Sequence, residues 1–249
     1  MSSFLHIQDL AFSHGKKHLF HQVNLDFGSE LVALVGLNGS GKSSFLELLA
    51  GNNEAKEGMI RIKNKAIHSW SKIDLAKEIA LVLTSFDIDS ELTVQDVLHS
   101  ARIPFTGYFG RLTANDKEIV SKVVRDLQLE ELLLQKFYAC SDGEKQRILI
   151  GTAFIKQASI ILLDEPTAFM DLNHKIEFFN LLKDEAEGKL VIFSTHDVEL
   201  ALQVADRILI LHENKMKLYT KEEVLKDGVL NEMFSASRRG FNEEGKLML

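Results

Sequence analysis

Eight consecutive residues, Gly36-Leu37-Asn38-Gly39-Ser40-Gly41-Lys42-Ser43, have the G-x-x-x-x-G-K-[ST] spacing of a phosphate-binding loop. Their flanks suit that chemistry. The apolar run Leu31-Val32-Ala33-Leu34-Val35 precedes them, and Phe45, Leu46, Leu48 and Leu49 follow with helical spacing. In a strand–loop–helix unit the glycines let successive N–H groups turn toward an anion, and the helix N-terminus adds positive partial charge. Lys42 then reaches the outer phosphates of a nucleoside triphosphate, and Ser43 offers a hydroxyl to Mg²⁺. Leu37, Asn38, Ser40 and Ser44 complete the nucleotide-binding stretch.

Two further segments carry chemistry. Ile160-Ile161-Leu162-Leu163-Asp164-Glu165-Pro166-Thr167 is an apolar strand ending in two carboxylates. Asp164 suits the Mg²⁺ shell, and Glu165 suits taking a proton from an attacking water. Ser141-Asp142-Gly143-Glu144 has the S-x-x-E spacing of a capping box at a helix start. Its serine and the amides around Gly143 also suit a second anion site.

The elements that must position these residues follow from periodicity. Phe4–Phe12 and Val23, Leu25 and Phe27 alternate with period two, as antiparallel strands do, and Gly58–Ile62 starts another strand. Short continuous apolar runs at Leu31–Val35, Ile79–Leu83, Ile160–Leu163, Leu190–Ser194 and Arg207–Leu211 predict a parallel sheet covered on both faces. Helical patterns occupy Ser43–Ala50, Asn173–Ala186 and Asp197–Val204. From about Asp87 to Gln157 helical periodicity takes over, with candidates at Thr93–Ser100, Thr113–Leu127 and Ser141–Ile155. No Pro- or Gly-rich linker bounds this stretch, which predicts an insertion in an α/β core. The end of the chain, residues 236–249, predicts a small hairpin or tail.

Composition narrows the class. With 45% hydrophobic and 26% charged residues the chain reads as an ordinary globular protein. A net charge of −7, from 36 acidic and 29 basic residues, argues against a nucleic-acid footprint, and Arg238-Arg239 is too short a patch to change that. Cys140 is the single cysteine, so no internal disulfide is expected. Neither a secretion signal nor an apolar stretch of spanning length is evident, so membrane contact is expected only through a partner. His14, His18 and His21 lie close in sequence but lack nearby cysteines, and Trp70 and Tyr108 read as packing or interface residues.

The loop at 36–43, Ser141-Asp142-Gly143-Glu144-Lys145-Gln146-Arg147, Leu162–Thr167, Asp171 and Ser194-Thr195-His196-Asp197 occur in the order found in the ATP-binding cassette family, which the chain resembles over residues 2–235. The resemblance implies a P-loop NTPase with a RecA-like parallel-sheet core, an N-terminal antiparallel β subdomain and an inserted α-helical subdomain. It also implies a head-to-tail homodimer that binds ATP and Mg²⁺. Each ATP would lie between one copy's phosphate loop and Ser141 and Gly143 of the other, with Asp171 at the seam. His196 would contact the γ-phosphate and orient Glu165. His14 stands where the family stacks an aromatic on adenine, and Thr84 where it has a glutamine reaching toward Mg²⁺ or water. Cys140 and Asp142 replace a leucine and a glycine.

Arg102-Ile103-Pro104-Phe105-Thr106-Gly107-Tyr108-Phe109-Gly110-Arg111-Leu112 resembles ATPases that drive import of iron–siderophore, haem or cobalamin complexes. That resemblance implies a peripheral subunit on the cytoplasmic face of the inner membrane, docked under permease subunits and served indirectly by a separate binding protein. A soluble cassette ATPase and a nucleotide-dependent scaffold stay open as alternatives.

Overall fold

Strand β3 (Glu30–Gly36) explains why an unbroken apolar run was needed: none of Leu31–Val35 exposes more than 2% of its surface. Leu31, Ala33 and Val35 face one hydrophobic cluster, and Val32 and Leu34 face another. The computed structural model describes residues 4–15, 17–84, 91–107, 110–226, 240–241 and 247–248. The expected insertion boundary at Asp87, Tyr108, Phe109, Arg238, Arg239 and most of the 236–249 tail lie outside the described residues.

β3 belongs to a six-stranded sheet with β6 (Ile79–Val82), β7 (Ile160–Leu163), β8 (Leu190–Thr195), β9 (Arg207–His212) and β10 (Lys215–Thr220). The order is β10-β9-β3-β8-β7-β6, parallel except for β10. β8 thus lies between the strand leading into the phosphate loop and the strand ending in the acids. A four-stranded antiparallel sheet, β2-β1-β4-β5, is built from β1 (Leu5–His14), β2 (Lys17–Phe27), β4 (Glu57–Ile62) and β5 (Lys65–Ala66). Leu5, Ile7, Val23, Leu25 and Phe27 bury the alternating face expected of it. Helix α1 (Lys42–Leu49) shares the cluster between the two sheets through Phe45, Leu46, Leu48 and Leu49. Trp70 packs against the same cluster, with Lys65 Nζ 4.6 Å from its ring centroid.

The insertion between β6 and β7 is helical: α3 (Val94–Ser100), α4 (Ala114–Asp126) and α5 (Asp142–Lys156). Each starts at a capping box, Thr93 with Asp96, Thr113 with Asp116 and Ser141 with Glu144. Arg102, buried at the start of the 102–105 turn, donates to Asp116 at 2.7 Å and to Ile155 O at 3.1 Å. This ties the segment to α4 and α5. Among the described residues the remaining α-helices are α2 (Lys72–Glu78), α6 (Leu172–Glu185), α7 (Val198–Val204) and α8 (Lys221–Lys226). Gly240–Phe241 (β11) and Leu247–Met248 (β12) pair antiparallel. Among the described residues no helix is long and apolar enough to cross a membrane.

Candidate functional site

β3 enters the loop at Gly36, and α1 leaves it at Lys42. A Cβ at Gly36 would sit 2.7 Å from Ser40 Oγ and 3.0 Å from Leu211 O, so the loop closes this tightly only over glycine. Gly41 (φ 112°) is the N-cap of α1, with no side-chain cap and no acid in the first turn. Helices α2 to α7 differ: Ser71, Thr93, Thr113, Ser141, Asp171 and Asp197 each cap their helix. The first amides of α1, with their positive partial charge, are left for an anion. Lys42 is buried beside them and donates to Gly36 O at 2.9 Å. Ser40 Oγ is buried and has no hydrogen-bond partner.

The two acids diverge at the end of β7. Asp164, 3% exposed, accepts hydroxyls from three elements: Ser43 Oγ at 2.6 Å, Ser194 Oγ at 2.6 Å and Thr84 Oγ1 at 3.4 Å. Glu165 has φ 44°, a left-handed conformation that costs a non-glycine residue on the order of 1–3 kcal/mol. Its N–H donates to Ser194 Oγ at 2.9 Å. Its carboxylate lies between two cationic or protonatable groups, with Oε1 3.7 Å from Lys42 Nζ and Oε2 2.9 Å from His196 Nδ1.

A cavity of about 470 Å³ joins these parts, lined by His14, Asn38, Gly39, Gly41, Lys42, Ser43, Ser44, Thr84, Asp164 and Glu165, along with Lys17 and Leu19. Lys17 was not anticipated; a lone lysine on a strand carries no motif, yet its Nζ donates to Gly39 O at 3.0 Å. The donor chemistry fits MgATP. Two lysines and the loop at the start of α1 line the cavity, as an anion requires, while a hydroxyl–carboxylate oxygen set at Ser43, Thr84 and Asp164 suits a hard cation. Among the described residues no group of three or more His, Cys, Asp or Glu side chains could hold a metal, so His14, His18 and His21 form no such cluster.

Ser141, Gly143 and Asp171 do not line this cavity. They gather elsewhere: a Cβ at Gly143 would lie 3.2 Å from Phe169 O, two residues before Asp171. Ser141 is occupied as a cap. Its N–H and Oγ donate to Glu144 Oε2 at 2.7 and 2.8 Å, and its Oγ accepts from Glu144 N. The bonds from the Ser141 N–H and hydroxyl hold the Glu144 carboxyl below its ordinary pKa. Burial, then the charge of Glu144, pushes the neighbouring Cys140 thiol up. Asp171 caps α6 and meets His174 Nδ1 at 2.9 Å.

The profile of the ABC transporter family matches residues 20–168, from β2 through the acid pair. An uncharacterized ABC transporter ATP-binding protein of Methanocaldococcus jannaschii is 35% identical over 243 residues, covering 96% of this chain and 84% of the relative. The chain belongs to the ABC transporter family. It is an ATP-binding subunit and an ABC-type ATPase of that family. The petrobactin import ATP-binding protein FpuC of Bacillus anthracis is 33% identical over 88% of this ABC subunit and 82% of its own length. A solved transporter described as being of metal-chelate type, in an inward-facing conformation, superposes with a TM-score of 0.79 at 25% identity, covering 99% of this chain and 95% of the other. In this ABC subunit two of the four departures noted in the sequence occur in the cavity wall, with His14 closing β1 and Thr84 beside Asp164, while Cys140 and Asp142 lie outside its lining.

Proposed function

We propose that this chain is the ATP-hydrolysing subunit of a metal-chelate importer, with residues 2–235 as its cassette domain and 236–249 as an appended tail. Iron–siderophore, haem and cobalamin complexes are the candidate cargo; the petrobactin relative and the metal-chelate-type transporter support a metal chelate as the class. The observation that carries the hydrolytic reading is Glu165, held between Lys42 and His196 at the open end of α1.

In this reading the loop amides and Lys42 take the phosphates, Lys42 exchanging its contacts with Gly36 O and Leu37 O for phosphate oxygens. Mg²⁺, held by Ser43 and Asp164 with Thr84 at the edge, would neutralise charge on the phosphates. Glu165 takes the proton of the attacking water. His196 fixes Glu165 Oε2 through Nδ1 and leaves its other ring nitrogen for the γ-phosphate. Ser141, Gly143 and Asp171 reach the nucleotide of a second copy. Exposed Leu37, Phe169 and Ile176, in or beside these motifs, give such a pairing apolar surface to bury.

A permease docks on another face. A groove of about 650 Å³ runs between α2, β6 and α5, floored by Leu81, Leu149 and Lys156. Burial lowers the Lys156 pKa, and exposed Ile73 and Ile103 belong to the elements packed around the groove. Such a subunit works at the cytoplasmic face of the cell membrane, and its binding-protein partner acts through the permease. Co-purification from membranes with a multi-span permease tests this; recovery of the chain without one favours a soluble ATPase.

Glu165→Gln tests the hydrolytic core. Turnover should fall by about 10²–10⁴-fold while ATP binding and ATP-dependent dimerisation persist. Near-normal phosphate release removes Glu165 from the base role.

A further inference from the structure

We infer that Ser194 is a positioning residue for ATP hydrolysis, its single hydroxyl holding Asp164 and the Glu165 backbone in register and keeping Glu165 in its left-handed conformation. This rests on Glu165 being the base proposed above.

Ser194 is fully buried on β8, paired with Leu34 of β3 and one residue beyond Phe193, the partner of Leu163 on β7. It therefore stands between the strand that feeds the phosphate loop and the strand that feeds the acids. The direction of its two bonds is forced. An amide N–H can only donate, so Ser194 Oγ accepts from Glu165 N at 2.9 Å. Its own proton is then directed to Asp164 Oδ1, 2.6 Å away.

The surroundings argue for a specific task. Leu190 and Ile192, on the same side of β8, are buried in the apolar cluster with α1. A hydroxyl in that row is desolvated, and only partners with good geometry offset the loss. Both of its partners belong to the Asp164–Glu165 pair. Without the bond, the strained Glu165 backbone can relax toward negative φ. That carries its carboxylate away from Lys42 and His196, the groups that now bracket it. The Asp164 contact to Ser43 does not depend on Ser194, so nucleotide binding should persist.

The test uses the full chain and measures ATP turnover, MgATP affinity by fluorescent-nucleotide titration and thermal unfolding. Ser194→Ala should lower turnover by about 10²-fold, the scale of a reacting group misplaced by ~1 Å, with MgATP affinity essentially unchanged. Ser194→Thr, which keeps the hydroxyl, should restore most of the rate. Ser194→Cys, close in volume but a weak hydrogen-bonding group, should behave like alanine and serves if the alanine variant unfolds. In a Glu165→Gln background, Ser194→Ala should add no further loss, because both changes disable one unit. Wild-type turnover in Ser194→Ala or Ser194→Cys overturns the inference, as does a loss that multiplies fully onto Glu165→Gln. A folded Ser194→Thr as slow as alanine also overturns it. If Glu165→Gln alone hydrolyses normally, the base assignment fails, and this inference fails with it.

Discussion

Helix α1 starts at Gly41 with nothing capping its first amides and no acid in its first turn, whereas α5 starts at Ser141 inside a closed capping box with Asp142 and Glu144 in its first turn. Both starts carry glycine-containing motifs, and both were read as anion sites. The end of α1 is incomplete without an anion: its amides open onto the cavity, and Lys42 is bent back onto loop carbonyls. The end of α5 is already satisfied within one copy. A ligand that binds only the folded α1 end stabilises the fold by mass action, whereas α5 is secured by its own side chains. In the proposed function the contrast separates a primary phosphate site from one that must share its serine with a structural bond.

The largest effect should follow from Lys42→Ala. One charged hydrogen bond contributes about 1.5–3 kcal/mol, so ATP affinity should drop by roughly 10–10²-fold, measured by equilibrium titration. Turnover should disappear as well. Retained affinity would break the comparison at its stronger end. Ser141→Ala comes next and separates the two helices. Loss of an N-cap costs about 1 kcal/mol of stability. ATP binding by a single copy should be unaffected, while phosphate release and ATP-driven association fall together. If association survives with full turnover, α5 is only a capped helix.

Why these two ends were legible, and others not, is physical. The phosphate loop announces itself because the tight turn at Gly36 and the φ of 112° at Gly41 require glycine at set places. The parallel strands show as unbroken apolar runs because both faces are covered. The helical insertion shows through its helical periodicity, with the capping box at Ser141 the one of its three that the sequence reading picked out. Helix α2 was missed because its seven residues bury no side chain fully and leave no apolar stripe. β10 was missed although Lys215, Met216, Lys217 and Leu218 alternate. Its hairpin turns through Glu213 and Asn214, both at positive φ, without the glycine that usually marks such a turn. Thr84 was known only as a departure from the family's glutamine. The fold supplies its local partner, Asp164, which sequence spacing cannot reveal across 80 positions. Ser194 opens the Ser194-Thr195-His196-Asp197 motif, but its hydroxyl gains meaning only when β8 lies beside β7. Nothing in the order of residues along the chain states that neighbourhood.

The smallest effect concerns how α5 is closed. Hydrogen bonds from the Ser141 amide and hydroxyl hold the Glu144 carboxyl below its ordinary pKa, and Arg147 adds to the shift. The folded state therefore binds this proton less readily than the unfolded chain. The resulting stability is fully present above the ordinary glutamate value and is lost as pH falls from there through the lower folded value. Glu144→Gln keeps an oxygen that can accept from Ser141 but removes the titration. A carboxylate at a helix N-terminus contributes about 0.3–1 kcal/mol, so unfolding midpoints at neutral pH should separate by no more than about 2–4 °C. The gap should close as the medium is acidified. The measurement is made without nucleotide, because this end of α5 is closed by the chain itself. Midpoints that stay parallel through the acid range would mean that the Glu144 charge contributes nothing to the cap, and Ser141 would then be free for a phosphate at little structural cost.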